Sequence, residues 1–206
     1  MIRAVAWCRA EDCGAVLADR PPVFQAAPRN HAETIALIQR PVKYIGRMTD
    51  ECRVCLCAAH LALRAVEWND AREIGLLAAG DAGFLQANQN YFRDYVANGR
   101  SMGRGNLFIY TLPTSTLGEV AIALNLTGPA MHLHDDTQPL AALVQHADQF
   151  IADGEADGML VLWSDLHAAV CLAIDGAGAQ SSAIQMPKGS TPKQMAHDLA
   201  AMARPA

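Results

Sequence analysis

The sequence predicts a three-layer α/β domain, in which helices cover both faces of a mixed sheet. Segments with helical and strand periodicity alternate along the 206 residues, as they do in α/β proteins. Two predicted strands, Glu73–Ala79 and Met159–Trp163, are almost entirely apolar, which is typical of strands buried on both faces. The second is followed, after Ser164-Asp165-Leu166, by another apolar strand, His167–Ile174, and the two therefore form a hairpin.

Composition and charge place the chain among globular proteins and exclude several functions. Apolar residues make up 51% of the chain and charged residues 18%, and a chain of this length buries about 70% of its unfolded surface. The net charge of −5 and the lack of a basic cluster argue against nucleic-acid binding. No apolar run approaches the roughly 20 residues of a membrane helix. Six cysteines without a signal peptide predict reduced thiols and a cytoplasmic protein.

The first part of the chain contains one strong helix. Ile2–Cys8 is a predicted strand, Glu11–Gly14 a turn, and Arg20–Ile45 an irregular segment rich in loop residues. Met48–Trp68 then carries a stripe of small and apolar residues at helical spacing, with Thr49 as its cap. Small residues of this kind allow a helix to pack closely against a sheet.

The middle of the chain continues with helices and loops. In order, the predicted elements are a turn at 80–83, a helix at Phe84–Val96, a glycine-containing loop at Arg100–Gly105 and a second helix rich in small residues at Thr116–Leu124. The Phe84–Val96 helix carries the aromatic residues Tyr91, Phe92 and Tyr95.

A strand, Ala130–Asp135, is followed by an amphipathic helix, Gln138–Asp153. Thr137 is the predicted N-cap of this helix, and Gly154 is its predicted left-handed C-terminal stop. The junction between a strand and the next helix is where α/β proteins present site residues, which makes Thr137 a candidate site position.

Three segments describe the domain organisation. Residues 1–175 are the predicted main domain, 176–190 a linker of glycine, alanine and serine, and 191–206 a tail with a helix at Thr191–Ala203.

Two clusters resemble metal sites on paper, and both have a simpler interpretation. Cys52, Cys55 and Cys57 have no second Cys-x-x-Cys motif or histidine pair to complete a zinc site, which favours packing in a helix. His132 and His134 face the same side of the predicted strand and precede two aspartates. We favour the interpretation that these histidines form the polar face of an interface strand, because the sequence offers no third, distant ligand for a metal ion. We therefore predict no metal.

Signatures of other chemistries are not found in the sequence. Ser115 and Ser164 do not lie in a Gly-x-Ser-x-Gly elbow, and Gly99–Gly105 has no Gly-Lys-Ser/Thr phosphate loop. No cofactor is predicted.

The order of motifs from Arg47 to Asp165 resembles the N-terminal half of β-ketoacyl-acyl carrier protein synthases, which have a thiolase-like fold. The motifs are Thr116-Leu117-Gly118-Glu119 in a helix, the turn Leu126-Thr127-Gly128-Pro129, the following strand and helix, and Gly154-Glu155-Ala156-Asp157. The resemblance implies half of the ketosynthase fold, a layered mixed sheet with flanking helices.

Two departures from that family argue against catalysis. In the family, a nucleophilic cysteine begins the helix after the strand, and the aligned position here is Thr137. A threonine hydroxyl gains too little from a helix dipole to replace a thiolate. The family's catalytic histidines come from a C-terminal half, and neither His167 nor His197 lies in a matching motif.

The resemblance therefore implies a subunit that resembles a chain length factor, as in type II polyketide and aryl-polyene systems. Its partner would be a full-length ketosynthase, with an acyl carrier protein involved indirectly. Half a fold exposes an apolar face that a partner or the 176–203 segment must cover. Tyr91, Phe92, Tyr95, His132 and His134 are the residues expected near the partner and the acyl tunnel.

Two alternatives stay open at this stage. One is an acyl hydrolase or transferase on a shortened thiolase-like scaffold that uses Thr137, His132 or Asp136. The other is a self-associating scaffold or binding protein with no acyl partner.

Overall fold

The computed structural model describes residues 1–17, 19–68, 72–80, 82–134, 138–176, 184, 186–187 and 189–204, with the backbone alone at 82–83. These residues form a mixed sheet of seven strands between two layers of helices. The predicted three-layer α/β architecture is confirmed.

The strands are β1 (Ile2–Arg9), β2 (Asp12–Leu17), β3 (Val23–Ala26), β4 (Ile74–Ala79), β5 (Ala130–His132), β6 (Gly158–Ser164) and β7 (Ala168–Asp175). Their order in the sheet is β3-β2-β1-β7-β6-β4-β5. Strands β1, β4, β5 and β6 run in one direction, and β7 lies antiparallel between β1 and β6. Strands β6 and β7 form the predicted hairpin, and both are buried along nearly their whole length.

The helices are α1 (His31–Ile38), α2 (Asp50–Ala65), α3 (Ala82–Ala97), α4 (Gly105–Phe108), α5 (Thr114–Leu124), α6 (Pro139–Ala152) and α7 (Pro192–Ala203), with 3-10 turns at Ile45–Arg47 and Ile109–Thr111. Helices α1, α2 and α5 cover one face of the sheet, and α6 and α7 cover the other. Each face has its own hydrophobic core.

Helix α2 is the most deeply buried helix of the first layer. Eleven of its sixteen residues are buried, including the three cysteines that were interpreted as packing residues. The helix begins as predicted, because the Thr49 hydroxyl accepts a hydrogen bond from the Cys52 N–H at 3.2 Å. Small side chains such as Ala58 and Ala62 let this helix lie close to the sheet.

Helix α7 folds back onto the sheet and belongs to the second core. Met195, Ala196, Leu199, Ala200 and Ala203 are all buried there against β7, β1 and β2. The sequence predicts that either a partner or the 176–203 segment covers an apolar face. Helix α7, which belongs to that segment, covers an apolar face of the sheet.

The segment before α2 contains two elements that the sequence interpretation missed. Of the predicted turn Glu11–Gly14, only Glu11 lies in a turn, the two-residue connection Ala10-Glu11, whereas residues 12–14 begin strand β2, which pairs with β1. The predicted irregular segment Arg20–Ile45 contains β3 and α1. Helix α1 begins with a variant of the capping box: the side chain of the N-cap Asn30 accepts from the Glu33 N–H at 2.9 Å, and the Glu33 carboxylate accepts from the N–H of the preceding residue, Arg29, at 2.8 Å.

The strand–helix junction differs in detail from the prediction. Strand β5 ends at His132 rather than Asp135, and helix α6 has Gln138 as its N-cap rather than Thr137. Residues 135–137 lie outside the described residues. The end of α6 is confirmed, since Gly154 adopts φ +74 and its N–H donates to the Ile151 carbonyl at 3.1 Å.

In the described part of the chain, no single helix is long and apolar enough to cross a membrane. One pair of helices bent by 102°, Gly105–Thr111 with Thr114–Leu124, passes the same test of length and composition when joined.

Candidate functional site

The candidate site lies at the edge of the sheet where β1, β4, β5 and β6 end. Because these four strands are parallel to one another, their carboxyl ends share one edge. Helices α2, α6 and α7 begin near the same edge. Ligands of α/β proteins bind at this edge of the sheet, so its side chains are the first candidates for function.

The ends of β4 and β6 are in very close contact. Gly80 follows β4 at φ +152, and a Cβ atom there would lie 2.4 Å from the Ser164 carbonyl oxygen. Only glycine tolerates both that conformation and that distance. The Gly80 carbonyl in turn lies 3.2 Å from His132 Nε2, so that one residue joins the ends of three strands.

A buried polar cluster lies beneath this junction. Ser164 Oγ donates to the Glu51 carboxylate at 3.2 Å, and both residues are buried. Cys52, the next residue of α2, has its Sγ 3.1 Å from Thr116 Oγ1 of helix α5. The Tyr110 hydroxyl donates to Glu119 at 2.8 Å on the outer side of the cluster. These bonds connect α2, α5 and β6 across the edge of the sheet.

The cluster encloses too little space for an acyl substrate. Its cavity has a volume of about 20 Å³ and is lined by residues that include Thr49, Glu51, Tyr110, His132 and Ser164. A cavity of this size holds about one water molecule. The serine and the carboxylate are thus enclosed by their neighbours rather than presented to a substrate.

The cysteines near this edge are protonated thiols. Burial raises the pKa of Cys52, and the hydrogen bonds from Thr116 and Thr49 oppose that shift only in part. Burial and the neighbouring Glu51 raise the pKa of Cys55 well above its ordinary value. A thiol is a weak nucleophile compared with a thiolate, so neither residue has the chemistry of a condensing-enzyme cysteine.

The two predicted histidines are placed differently from each other. His132 is half-buried, and burial lowers the pKa of its imidazole, which favours the neutral ring. His134 lies beyond the end of β5 and is exposed. Among the described residues, no three His, Cys, Asp or Glu side chains are arranged to hold a metal ion.

A second cavity at the same edge has a volume of about 270 Å³ and lies between the beginnings of α6 and α7. Its wall includes Asp165, whose carboxylate accepts hydrogen bonds from the N–H groups of His167 at 2.8 Å, Ala168 at 2.9 Å and Lys193 at 3.2 Å. Asp165 therefore holds the β6–β7 turn against the first turn of α7.

The three predicted aromatic residues belong to an exposed surface beside this edge. Phe92 is 63% exposed, whereas Tyr91 packs against Tyr95 and Phe108 with ring centroids 6.4 Å and 5.6 Å apart. Helix α3 is tied to the following segment by Asn88, whose side-chain amide donates to the Thr111 carbonyl at 3.1 Å.

Among the described residues, half of the large exposed apolar side chains belong to residues 84–112, which we call the α3–α4 patch. They are Leu85, Phe92, Val96, Met102, Phe108, Ile109 and Leu112. Strand β5, which carries the exposed Met131, is an edge strand of the described sheet; His132 is its last residue and His134 lies two residues beyond it. Apolar surface of this kind marks an interaction site in a globular protein.

The structure brings together residues that the sequence interpretation did not connect. Gly80, Glu51 and Ser164 meet at one point although they come from separate elements. Glu51, in the acidic first turn of α2, and the serine that ends the apolar strand β6 were the available signals. Thr137, the position aligned with the nucleophile, lies outside the described residues, so its surroundings stay unassigned.

Comparison with known proteins gives a match in structure but not in sequence. No protein-family model matches the chain, and no curated protein matches it. A chain of the ishigamide ketosynthase/chain length factor has a TM-score of 0.63 at 12% identity, over 87% of this chain and 63% of that one.

Two further structures show the same relationship. A chain in the complex of the ketosynthase ApeO with its chain length factor ApeC from Xenorhabdus doucetiae has a TM-score of 0.60 at 12% identity, over 97% of this chain and 90% of that one. A β-ketoacyl synthase from Burkholderia phymatum STM815 has a TM-score of 0.60 at 13% identity, over 85% of this chain and 59% of that one.

These likenesses establish the fold. The protein has the layered, thiolase-like fold of ketosynthases and chain length factors, which confirms the resemblance in the sequence. The chain spans less than two thirds of the ishigamide and Burkholderia proteins and nine tenths of the matched chain of the ApeO–ApeC complex.

Proposed function

We propose that this protein is a non-catalytic, chain-length-factor-like subunit that pairs with a full-length ketosynthase in the cytoplasm. The observation that carries the proposal is the match to the ApeO–ApeC complex, which extends over 97% of this chain and 90% of its counterpart. The helices and strands described here therefore have counterparts in a ketosynthase–chain length factor assembly.

The chemistry of the candidate site supports a non-catalytic role. Cys52 and Cys55 are protonated, and the Glu51–Ser164 pair is enclosed around space for about one water molecule. The resemblance to the ketosynthase family puts Thr137 at the nucleophile's position. A ketosynthase partner would supply the thiolate and histidines that condensation needs.

The exposed apolar surface supports a role in pairing. The α3–α4 patch carries seven large exposed apolar side chains, and β5, whose His132 lines one cavity together with Phe84 and Leu112, is the last strand of the sheet in the described part of the chain. An edge strand has unpaired backbone groups to which a partner strand can bind. In this arrangement Tyr91, Phe92, Tyr95, His132 and His134 would lie near the partner and shape the tunnel that receives its growing acyl chain. The acyl carrier protein would deliver that chain to the ketosynthase.

Condensation assays with purified components test this division of labour. Each full-length ketosynthase of the source genome is co-expressed with this protein, and acyl transfer and condensation are measured with acyl carrier protein substrates. We expect a condensation product only when the ketosynthase is present, with unchanged turnover for Thr137→Ala and Ser164→Ala in this chain. Thioester turnover by this chain alone that is lost in Thr137→Ala would contradict the proposal and favour an acyl hydrolase or transferase.

A further inference from the structure

The α3–α4 patch combines its apolar side chains with charges of one sign. Within residues 84–112 the basic residues are Arg93, Arg100 and Arg104, and all three are exposed. The same segment contains one carboxylate, Asp94. This surface is therefore basic, although the chain as a whole has a net charge of −5.

The single carboxylate of the patch is already engaged. The Asp94 side chain is 19% exposed, and its Oδ1 lies 3.4 Å from Arg104 Nη1. Arg93 donates to the Asn90 side chain at 3.3 Å. Because an amide is neutral, this hydrogen bond does not compensate the charge of the arginine. The patch therefore carries an excess of positive charge, and its one carboxylate is paired with Arg104 through Oδ1 and buried at Oδ2.

Arg100 is one of five described non-glycine residues with a left-handed backbone, and it lies within the patch. Helix α3 ends in two successive left-handed residues, Gly99 at φ +72 and Arg100 at φ +59. The second position costs free energy for any residue other than glycine, and Asn or Gly would ordinarily occupy it. Strained positions of this kind cluster at functional surfaces.

We infer that the α3–α4 patch selects a different chain as its partner and disfavours a second copy of this protein. The inference rests on the proposed pairing with a ketosynthase and states the chemistry of the ketosynthase surface: an apolar centre bordered by carboxylates. A twofold self-contact through the patch would place the same surface on both sides. Each copy would then present three arginines and the Asp94 carboxylate that pairs with Arg104, so that a net charge of +2 would face the same charge.

The apolar side chains and the arginines have separate roles in this arrangement. Phe92, Met102 and Phe108 supply the area that is removed from water when the partner binds. Arg93, Arg100 and Arg104 determine which surface can approach, since like charges across an interface suppress wrong partners and opposite charges accelerate encounter.

The test compares two triple variants with the same change in net charge. The first is Arg93→Gln, Arg100→Gln and Arg104→Gln in the patch. The matched control is Arg20→Gln, Arg29→Gln and Arg64→Gln, three exposed arginines elsewhere. Association rates with the co-expressed ketosynthase are measured by stopped flow at low and high salt, and self-association of each chain alone is measured by analytical ultracentrifugation.

We expect the patch variant to associate with the ketosynthase roughly tenfold more slowly at low salt, with a weaker salt dependence than the wild type. We also expect it to self-associate more strongly than the wild type, whereas the control behaves like the wild type.

Binding of the patch variant to the ketosynthase with an unchanged rate and salt dependence would overturn the inference and leave the proposed pairing standing. A stable wild-type homodimer that dissociates on Phe92→Glu would also overturn it. No binding of the wild type to any ketosynthase would instead contradict the proposed function.

Discussion

Gly80 is the residue on which the geometry of the site depends most directly. Its φ of +152 and the 2.4 Å between a hypothetical Cβ and the Ser164 carbonyl oxygen leave no space for a side chain. We predict that Gly80→Ala lowers the free energy of unfolding by about 2 kcal/mol or more, measured by urea denaturation. Gly118→Ala is the matched control, because Gly118 lies in helix α5 with open space around it and alanine there should add roughly 0.5–1 kcal/mol. Equal effects of the two substitutions would contradict this account of the β4–β6 junction.

His60 of helix α2 gives the protein a predictable dependence on pH. Burial, followed by the charges of Arg64 and Arg40, lowers the pKa of this imidazole to about 4 in the folded protein. The unfolded chain takes up the proton first, near pH 6.5, and acidification from there towards pH 4 therefore removes stability. The loss reaches roughly 3 kcal/mol at most.

Denaturation of the wild type and His60→Gln across that pH range measures this effect. The free energy of unfolding of His60→Gln should fall less than that of the wild type between pH 6.5 and 4, because the variant has no imidazole at this position to protonate. Parallel curves over the whole range would show that His60 is accessible to protons in the folded state.

At the scale of elements, the regular parts of the fold were predictable because their signals are local. The apolar runs of β4, β6 and β7 and the helical spacing in α2, α5 and α6 identify those elements without knowledge of the rest. The cap at Thr49 and the stop at Gly154 are signals of the same local kind.

The missed elements either depend on a neighbouring strand or resemble loops in sequence. Strand β3 has four residues, and its neighbour β2 is what makes it a strand. Helix α1 follows a stretch rich in proline that hides its Asn30–Glu33 capping box. The meeting of Glu51, Ser164 and Gly80 depends on strand order, which the sequence does not state.

Helix α7 provides a test of how much of the chain folds as one unit. Leu199 is fully buried against the sheet, whereas Met202 on the same helix is 52% exposed. We predict that Leu199→Ala lowers the free energy of unfolding by about 3 kcal/mol and that Met202→Ala changes it by about 0.5 kcal/mol or less. A single cooperative transition followed by circular dichroism measures both. If α7 were a detachable tail, Leu199→Ala would leave that transition in place.

At the scale of the whole molecule, the described residues form a sheet covered by helices, with an exposed apolar surface to one side. Helices α6 and α7 shield one face and α1, α2 and α5 the other, while the α3–α4 patch and the edge of β5 face outwards. The sequence interpretation anticipated the fold and expected the aromatic residues of α3 near a partner. It did not anticipate the basic character of that surface, because the overall net charge of −5 masks it.

The central claim is that this surface binds a ketosynthase, and native mass spectrometry of co-expressed proteins tests it most directly. The wild type is compared with Phe92→Glu in the patch and with Ile35→Glu, where Ile35 is an exposed apolar residue on helix α1, outside the patch. Circular dichroism confirms that each variant is folded. We predict a complex of one ketosynthase chain with one copy of this protein for the wild type and Ile35→Glu, and its loss in Phe92→Glu. A wild-type protein that forms no complex with any ketosynthase of its source, or a complex that persists in Phe92→Glu, would contradict the claim.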